Sequence, residues 1–331
     1  MNKGSLSRRS LLASSIAAPV LWPGPGRAQN AIPDRQVRMI VGFGNGNGTV
    51  TVANEIAPRI ERRVGRHITI ENTIGEAGAT AGERIKNGPT DGSFQALFPS
   101  TTIAARIGNP AFPFDPETDM TPISLIGRFP LAIAVSPTLK VETFEDYLKW
   151  LQAGGAERAQ FGSTAASTAF VACYGKMMTR VLGRDIKIVG FRGGSSMVTD
   201  VESGKVPACI SNLPTLLTAH RGRRVRIVLL TGDKRSSAAP ALPTAAELGV
   251  KGLELREWYM LFTNGKVPTE IVDAWNSQAR IVLNDGECKA ILTQLGLDVE
   301  SSTSNEAKAV VANTLAEWKG RMESYGVLAS K

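Results

Sequence analysis

Strand-like runs and helical stretches alternate along this chain, and most of the strands open into a loop of small residues that leads directly into a helix. The first series reads "QVRMIVGF", a helix from about Val50, "HITIEN", a short helix ended by Asn87-Gly88-Pro89, and "SFQALFPS". A βαβαβ order implies parallel strands covered on both faces, because a parallel connection needs a crossover long enough to hold a helix. Ligands of such sheets sit at the strand C-termini. A second series with the same period follows: "RAQFGST", a helix from about Ser167 to Leu182, "DIKIVGFRGG", a short helix from about Ser195 to Ser203, "PACISNLP" and "VRIVLLTG". Between the two lies "TPISLIGRFPLAIAVSP", long enough to leave one sheet and enter another, and "LREWYMLFTNG" reads as a return crossing. "TFEDYLKWLQAGG" is expected to be a helix with Thr143 as N-cap and Gly154 past its end. Pro268 should open a helix to about Asn284, and Ser304 should cap a C-terminal helix whose apolar face carries Val311, Leu315 and Trp318.

The chain begins "MNKGSLSRRSLLASSIAAPVLWPGPGRAQN": a basic start, an apolar run from Leu11 to Trp22, helix breakers, then Gly26-Arg27-Ala28. That is the pattern of a secretory signal peptide over residues 1–28, cut after about Ala28. The order Ser7-Arg8-Arg9-Ser10-Leu11-Leu12 suits a twin-arginine signal as well as the general route, and either ends outside the cytoplasm, in the periplasm. Gln29, not a cysteine, follows the cut, so no lipid anchor is indicated. Removing Lys3, Arg8, Arg9 and Arg27 and no acid lowers the net charge from +8 to +4. The remaining 303 residues suffice for two domains with their own cores, and no later apolar run approaches the roughly 18 residues of a membrane span.

Composition excludes several chemistries. His67 and His220 are the only histidines, which leaves no zinc cage and no histidine-based triad. Cys173, Cys209 and Cys288 lack CxxC or Cys/His spacing; they read as small buried apolar residues, with at most one disulfide among them. No metal or cofactor is expected. The basic run "HRGRRVR" has no interleaved aromatics and leads into a strand, so it reads as a solvated turn and not as a nucleic-acid surface.

The candidate site is therefore built from loops. In "GFGNGNGTV" the glycines at 42, 44, 46 and 48 leave main-chain N–H groups bare ahead of a helix N-terminus, a combination that suits an anion. The dinucleotide fingerprint fails, because Asn47 stands where its third glycine belongs, and no Lys-Ser or Lys-Thr follows for a Walker loop. A second small-residue loop, "ENTIGEAGATAG", lies after the second strand. Three or four charge-assisted hydrogen bonds from two such loops, at roughly 1.5–3 kcal/mol each, suffice for a micromolar carboxylate without any arginine. The candidate ligand-binding residues are Gly44, Asn45, Gly46, Asn47, Gly48 and Thr49 in the first loop and Glu76, Ala77, Gly78 and Ala79 in the second. The second series adds Ser163, Thr164, Ser167 and Thr168 from "FGSTAAST" and Arg192 and Gly193 from "GFRGGSS". Neither stretch matches Gly-x-Ser-x-Gly, so no hydrolase nucleophile is indicated. Arg192 reads equally as a clamp for a distal carboxylate and as a solvated charge.

From about Pro33 onward the chain resembles the Bug, or TctC-like, extracytoplasmic solute-binding proteins of tripartite tricarboxylate transporters. The resemblance rests on "VRMIVGF" with its glycine loop, "ITIEN…GEAGATAG", "PTDGSFQAL", "FPFDPETDMTPISLIG", "GDKRSSAAPALPTAAELG" and "REWYMLFTNGKVPTEIV", in that order. It implies a periplasmic binding protein-like α/β fold of two domains with a ligand cleft between them and two crossover strands. Residues 29–127 and 256–331 would form domain I and residues 128–255 domain II. It also implies a monomeric receptor that binds a small organic acid, performs no chemistry, and passes its ligand to membrane permease subunits. A ligand-sensing subunit for a membrane signalling protein and a secreted enzyme are the rival readings. Two departures stand out: Val50 occupies the place of an acid usual in the family's first loop, and Phe170-Val171 the place of a usual Ser-His.

Overall fold

The computed structural model describes Met1 and residues 31–164 and 168–328. The expected signal peptide beyond Met1, and Ser167, lie outside the described residues. The chain first builds β1 (Val37–Val41), α1 (Gly48–Val64), β2 (Ile68–Asn72), α2 (Ala79–Lys86), β3 (Phe94–Pro99) and α3 (Ser100–Ala104). β1 pairs in parallel with β2 on one side and β3 on the other. Its residues Val37, Met39, Ile40 and Val41 are all buried, as a strand covered on both faces requires. α1 starts two residues before Val50 because Asn47 caps it, its side-chain oxygen accepting from the Thr49 N–H at 2.9 Å. Gly65, in the left-handed region at φ 67°, ends it.

β4 (Met120–Val135) is the 16-residue strand that joins the two halves of the sheet. A second run of elements follows: α4 (Phe144–Gln152), β5 (Gln160–Ser163), α5 (Thr168–Leu182), β6 (Lys187–Gly190), α6 (Gly194–Glu202), β7 (Ala208–Asn212), α7 (Leu213–Arg221) and β8 (Arg226–Leu230). The chain ends with β9 (Arg256–Asn264), α8 (Thr269–Asn284), α9 (Gly286–Gln294), β10 (Asp298–Val299) and α10 (Ser304–Ser324). The strand order is β2-β1-β3-β9-β4-β7-β5-β6, with β8 and β10 also paired to β4. Residues Met120 to Pro130 of β4 pair antiparallel with β9, whereas Leu131 to Val135 pair with β7 and β8. Pro130, which has no N–H for a ladder, marks the change of partner.

Three buried clusters hold this arrangement. One packs α1, α8 and α9 under the first half of the sheet, with Ile56, Ile60, Trp275 and Leu292 among its members. A second lies beneath α6 and α7 and includes Met197, Val201, Leu213 and Leu216. The largest runs through both halves, where Trp318 of α10 meets Phe170 of α5 at a centroid distance of 4.6 Å. The three cysteines are free and buried.

Thr143 caps α4 in a reciprocal capping box with Asp146, but Ala153, not Gly154, is its C-cap residue. At the C-terminal helix the expected cap is off by one residue. Thr303 is the N-cap and Ser304 the first helical residue, because only Thr303 has an acid three positions on, and Glu306 returns the bond. The helix α7, between "PACISNLP" and the basic turn, has no counterpart in the sequence reading.

Candidate functional site

The elements converge where β4 changes partners. Phe129 stands opposite Glu257 of β9, and Leu131, two residues on, stands opposite Asn212 of β7. Around this crossing a cavity opens, lined from the first half by Phe43, Asn47, Ala77, Pro99 and Thr101 and from the second by Ser163, Thr164, Tyr174, Ile210, Ser211 and Asn212. Phe129, Leu131 and Glu257 form its wall at the junction. Its volume is about 40 Å³, room for a few waters at roughly 10–15 Å³ each.

The two glycine loops lie side by side, since a Cβ on Gly42 would fall 2.5 Å from the Gly78 Cα. In the second loop Glu76, Ala77 and Gly78 take φ values of 42°, 59° and 93°. Two consecutive left-handed residues other than glycine store roughly 1–3 kcal/mol each, a strain that recurs at ligand clamps. Thr102 fastens the turn by donating to the Ala77 carbonyl at 2.7 Å.

The first loop differs from the bare anion cradle expected of it. Thr49 N–H is taken by the Asn47 side chain, Val50 and Thr51 N–H by the Asn47 carbonyl, and Gly48 N–H by Thr215 Oγ1 at 2.8 Å. The start of α1 is thus satisfied by the protein itself. Gly46 (φ 76°) faces the opposite half: a Cβ there would fall 2.0 Å from Ser195 Oγ, and that hydroxyl donates to the Asn45 carbonyl at 3.1 Å. A Cβ on Gly194 would fall 2.4 Å from the Gly46 carbonyl oxygen. The glycines at 46, 48 and 194 permit a close backbone seam between the halves.

Of the sequence-derived candidates, Asn47, Ala77, Ser163 and Thr164 line the cavity. Gly44, Asn45, Gly46, Gly48 and Thr49 form the adjoining loop and seam, and Glu76, Gly78 and Ala79 shape the strained turn without lining the space. Thr168 opens α5. Arg192 and Gly193 are not among the lining residues, and Arg192 is exposed. Val50 and Phe170, the two departures from the family pattern, pack into cores.

Ser211 and Asn212 escaped the sequence reading. Asn212 caps α7, accepting from the Thr215 N–H at 2.9 Å, and Pro214 sits in the first turn. Asn-x-Pro after a strand carried that signal. Glu257 escaped as well, and among the described residues it is the cavity's only ionisable group besides Tyr174. Only 2% exposed, it accepts a hydrogen bond from Ser100 and another from Tyr174. Burial pushes its carboxyl up to about 8, against the opposing pull of Arg321 and of the Tyr174 bond. Among the described residues no group of His, Cys, Asp and Glu could hold a metal ion, and no helix is long and apolar enough to cross a membrane.

A mixed α/β sheet carrying a loop-lined cavity at the crossing between its halves is the architecture of periplasmic binding proteins. The chain belongs to the tripartite tricarboxylate transporter family receptors (TctC), whose sequence profile matches residues 52–327. It is 23% identical to Protein BugT of Bordetella pertussis over 319 residues, 96% of this chain and 95% of that protein. The structure of R. palustris Rpa4515 with adipate superposes with a TM-score of 0.82 at 26% identity, covering 89% of this chain and 98% of that one. The periplasmic binding protein BugD gives a TM-score of 0.82 at 22% identity over 89% of this chain and 99% of its own.

Proposed function

We propose that this chain is a periplasmic receptor that captures a small organic acid and delivers it to the membrane subunits of a tripartite tricarboxylate-type transporter, with no turnover of its own. The observation that carries this reading is the cavity at the β4 crossing, walled by small polar residues from both halves of the sheet. Asn47, Thr101, Ser163, Thr164, Ser211 and Asn212 bring amides and hydroxyls to it, enough to hold one carboxylate without a cation. Binding of adipate by Rpa4515 supports the ligand class.

The change of strand partner at Pro130 and the return at Arg256 support the division into one lobe of residues 29–127 and 256–331 and another of residues 128–255. A ligand held between such lobes favours their closed arrangement, and the closed form of a monomeric receptor is what a permease would recognise. Thermal shift and calorimetry with mono- and dicarboxylates, adipate included, test the reading. A saturable one-to-one complex is expected, stabilising the fold by about 2.7 kcal/mol at a hundredfold excess over Kd. Absence of any stabilising acid would refute it.

A further inference from the structure

Glu257 has no counterpart in the receptor function as argued so far. Its carboxyl lines the cavity yet is almost wholly withdrawn from solvent. The hydroxyls around it are arranged as donors. Ser100 Oγ receives the Trp258 N–H at 3.4 Å, so its own proton is directed to Glu257, and the Tyr174 hydroxyl supplies a second donor. A carboxylate offers about four lone-pair positions, and these contacts use two. Among the described residues no lysine or arginine lines the cavity. The charged and titratable groups acting on Glu257 are Tyr174 on α5, Tyr259 on β9 and Arg321 on α10. Once ionised, this carboxyl repels a second anionic group of a ligand and accepts from a cationic nitrogen.

We propose that Glu257 receives a cationic nitrogen of the ligand, so that the organic acid this receptor takes is an aminocarboxylate. The inference rests on the organic-acid reading above. It has a proton signature. In the empty cavity burial keeps Glu257 protonated at neutral pH, its carboxyl pushed up to about 8. An ammonium docking beside it favours the ionised form, so the carboxyl proton leaves to solvent as the ligand enters, and affinity rises as pH approaches 8. A dicarboxylate would give the opposite slope, because its second carboxylate needs that proton to stay.

The experiment compares 5-aminopentanoate, pentanoate, pentanedioate and pentylamine by calorimetry, in buffers of different ionisation enthalpy between pH 6 and pH 9. Wild type and Glu257→Gln are measured side by side. Glutamine keeps the volume and can still accept from Ser100 and Tyr174, and its own melting curve verifies folding. Wild type should bind 5-aminopentanoate most tightly with proton release at pH 7. Glu257→Gln should lose about tenfold to a hundredfold of that affinity while pentanoate changes by less than about threefold. Should the variant not fold, the sign of the wild-type pH slope and proton count decides alone. Tightest binding of pentanedioate, with affinity falling as pH rises, would overturn the proposal. Equal binding of pentanoate and 5-aminopentanoate would overturn it too, and leave the organic-acid reading standing. Binding of pentylamine without any of the three acids, or binding of none of the four, would overturn both.

Discussion

Gly46→Ala probes the seam between the halves of the molecule. The new Cβ falls 2.0 Å from Ser195 Oγ, 3.1 Å from its Cβ and 3.0 Å from its backbone nitrogen, at a residue whose φ is 76°. A left-handed conformation costs an L-residue other than glycine roughly 1–2 kcal/mol. Relieving the clash separates the loop from the opposite half and forfeits the Ser195-to-Asn45 bond and the Gly48-to-Thr215 bond, about 0.5–1.5 kcal/mol each. The arrangement with the two halves in contact should therefore lose roughly 2–5 kcal/mol, which lowers ligand affinity about thirtyfold to several thousandfold. The cores are remote from the loop, so the melting temperature of the empty protein should change little. Calorimetry with the tightest acid of the panel measures the loss. A Ser195→Gly change in the same chain removes the hydroxyl and the Cβ that the alanine strikes, and should restore about tenfold of it. Unchanged affinity in Gly46→Ala, or strictly additive effects in the double variant, would refute the seam.

Further expectations follow from the buried groups and the N-terminus. Glu257, raised to about 8 from an ordinary 4.5, holds its proton in the folded chain where the unfolded chain has released it. Its contribution to stability is complete below the ordinary value and declines as pH rises toward about 8, by on the order of a few kcal/mol. Urea unfolding from pH 5 to pH 9 should thus show a steeper decline for wild type than for Glu257→Gln, and identical slopes would contradict the burial argument. Burial raises the Cys209 thiol to about 12 and the Cys173 thiol to about 11. All three cysteines should therefore resist a thiol reagent until the protein unfolds, and rapid labelling of the native protein would count against this packing. The exported protein should begin at Gln29 by N-terminal sequencing; full-length chain recovered in the membrane fraction would speak against cleavage.

The alternation of strands and helices was legible because each βα unit repeats the same sequence logic, an apolar run, small residues and then a helical stripe. β1 with "GFGNGNGTV" and α1 is the clearest instance. The meeting place of the site was less legible. Asn47 and Ala77 follow from their loops, but Ser211, Asn212 and Glu257 reach the cavity only because β4 exchanges β9 for β7 at Pro130, a long-range pairing that no local pattern states. An acid in "REWYMLF" reads locally as a solvent-facing position of a strand; its burial comes from long-range partners such as Tyr174 of α5, whose hydroxyl donates to it. The glycine pattern by itself points to N–H groups exposed to a ligand, whereas Gly46 and Gly48 admit the other half of the protein. Both readings demand a missing side chain, and the sequence alone does not distinguish them.

Native mass spectrometry of the receptor isolated gently from periplasm, followed by denaturation and identification of what is released, tests the central claim most directly. A one-to-one complex with a small organic acid, lost on unfolding and restored by adding that acid back, is the predicted result. A molecule of another class restored in the same way, or an empty protein that no organic acid stabilises, would contradict it.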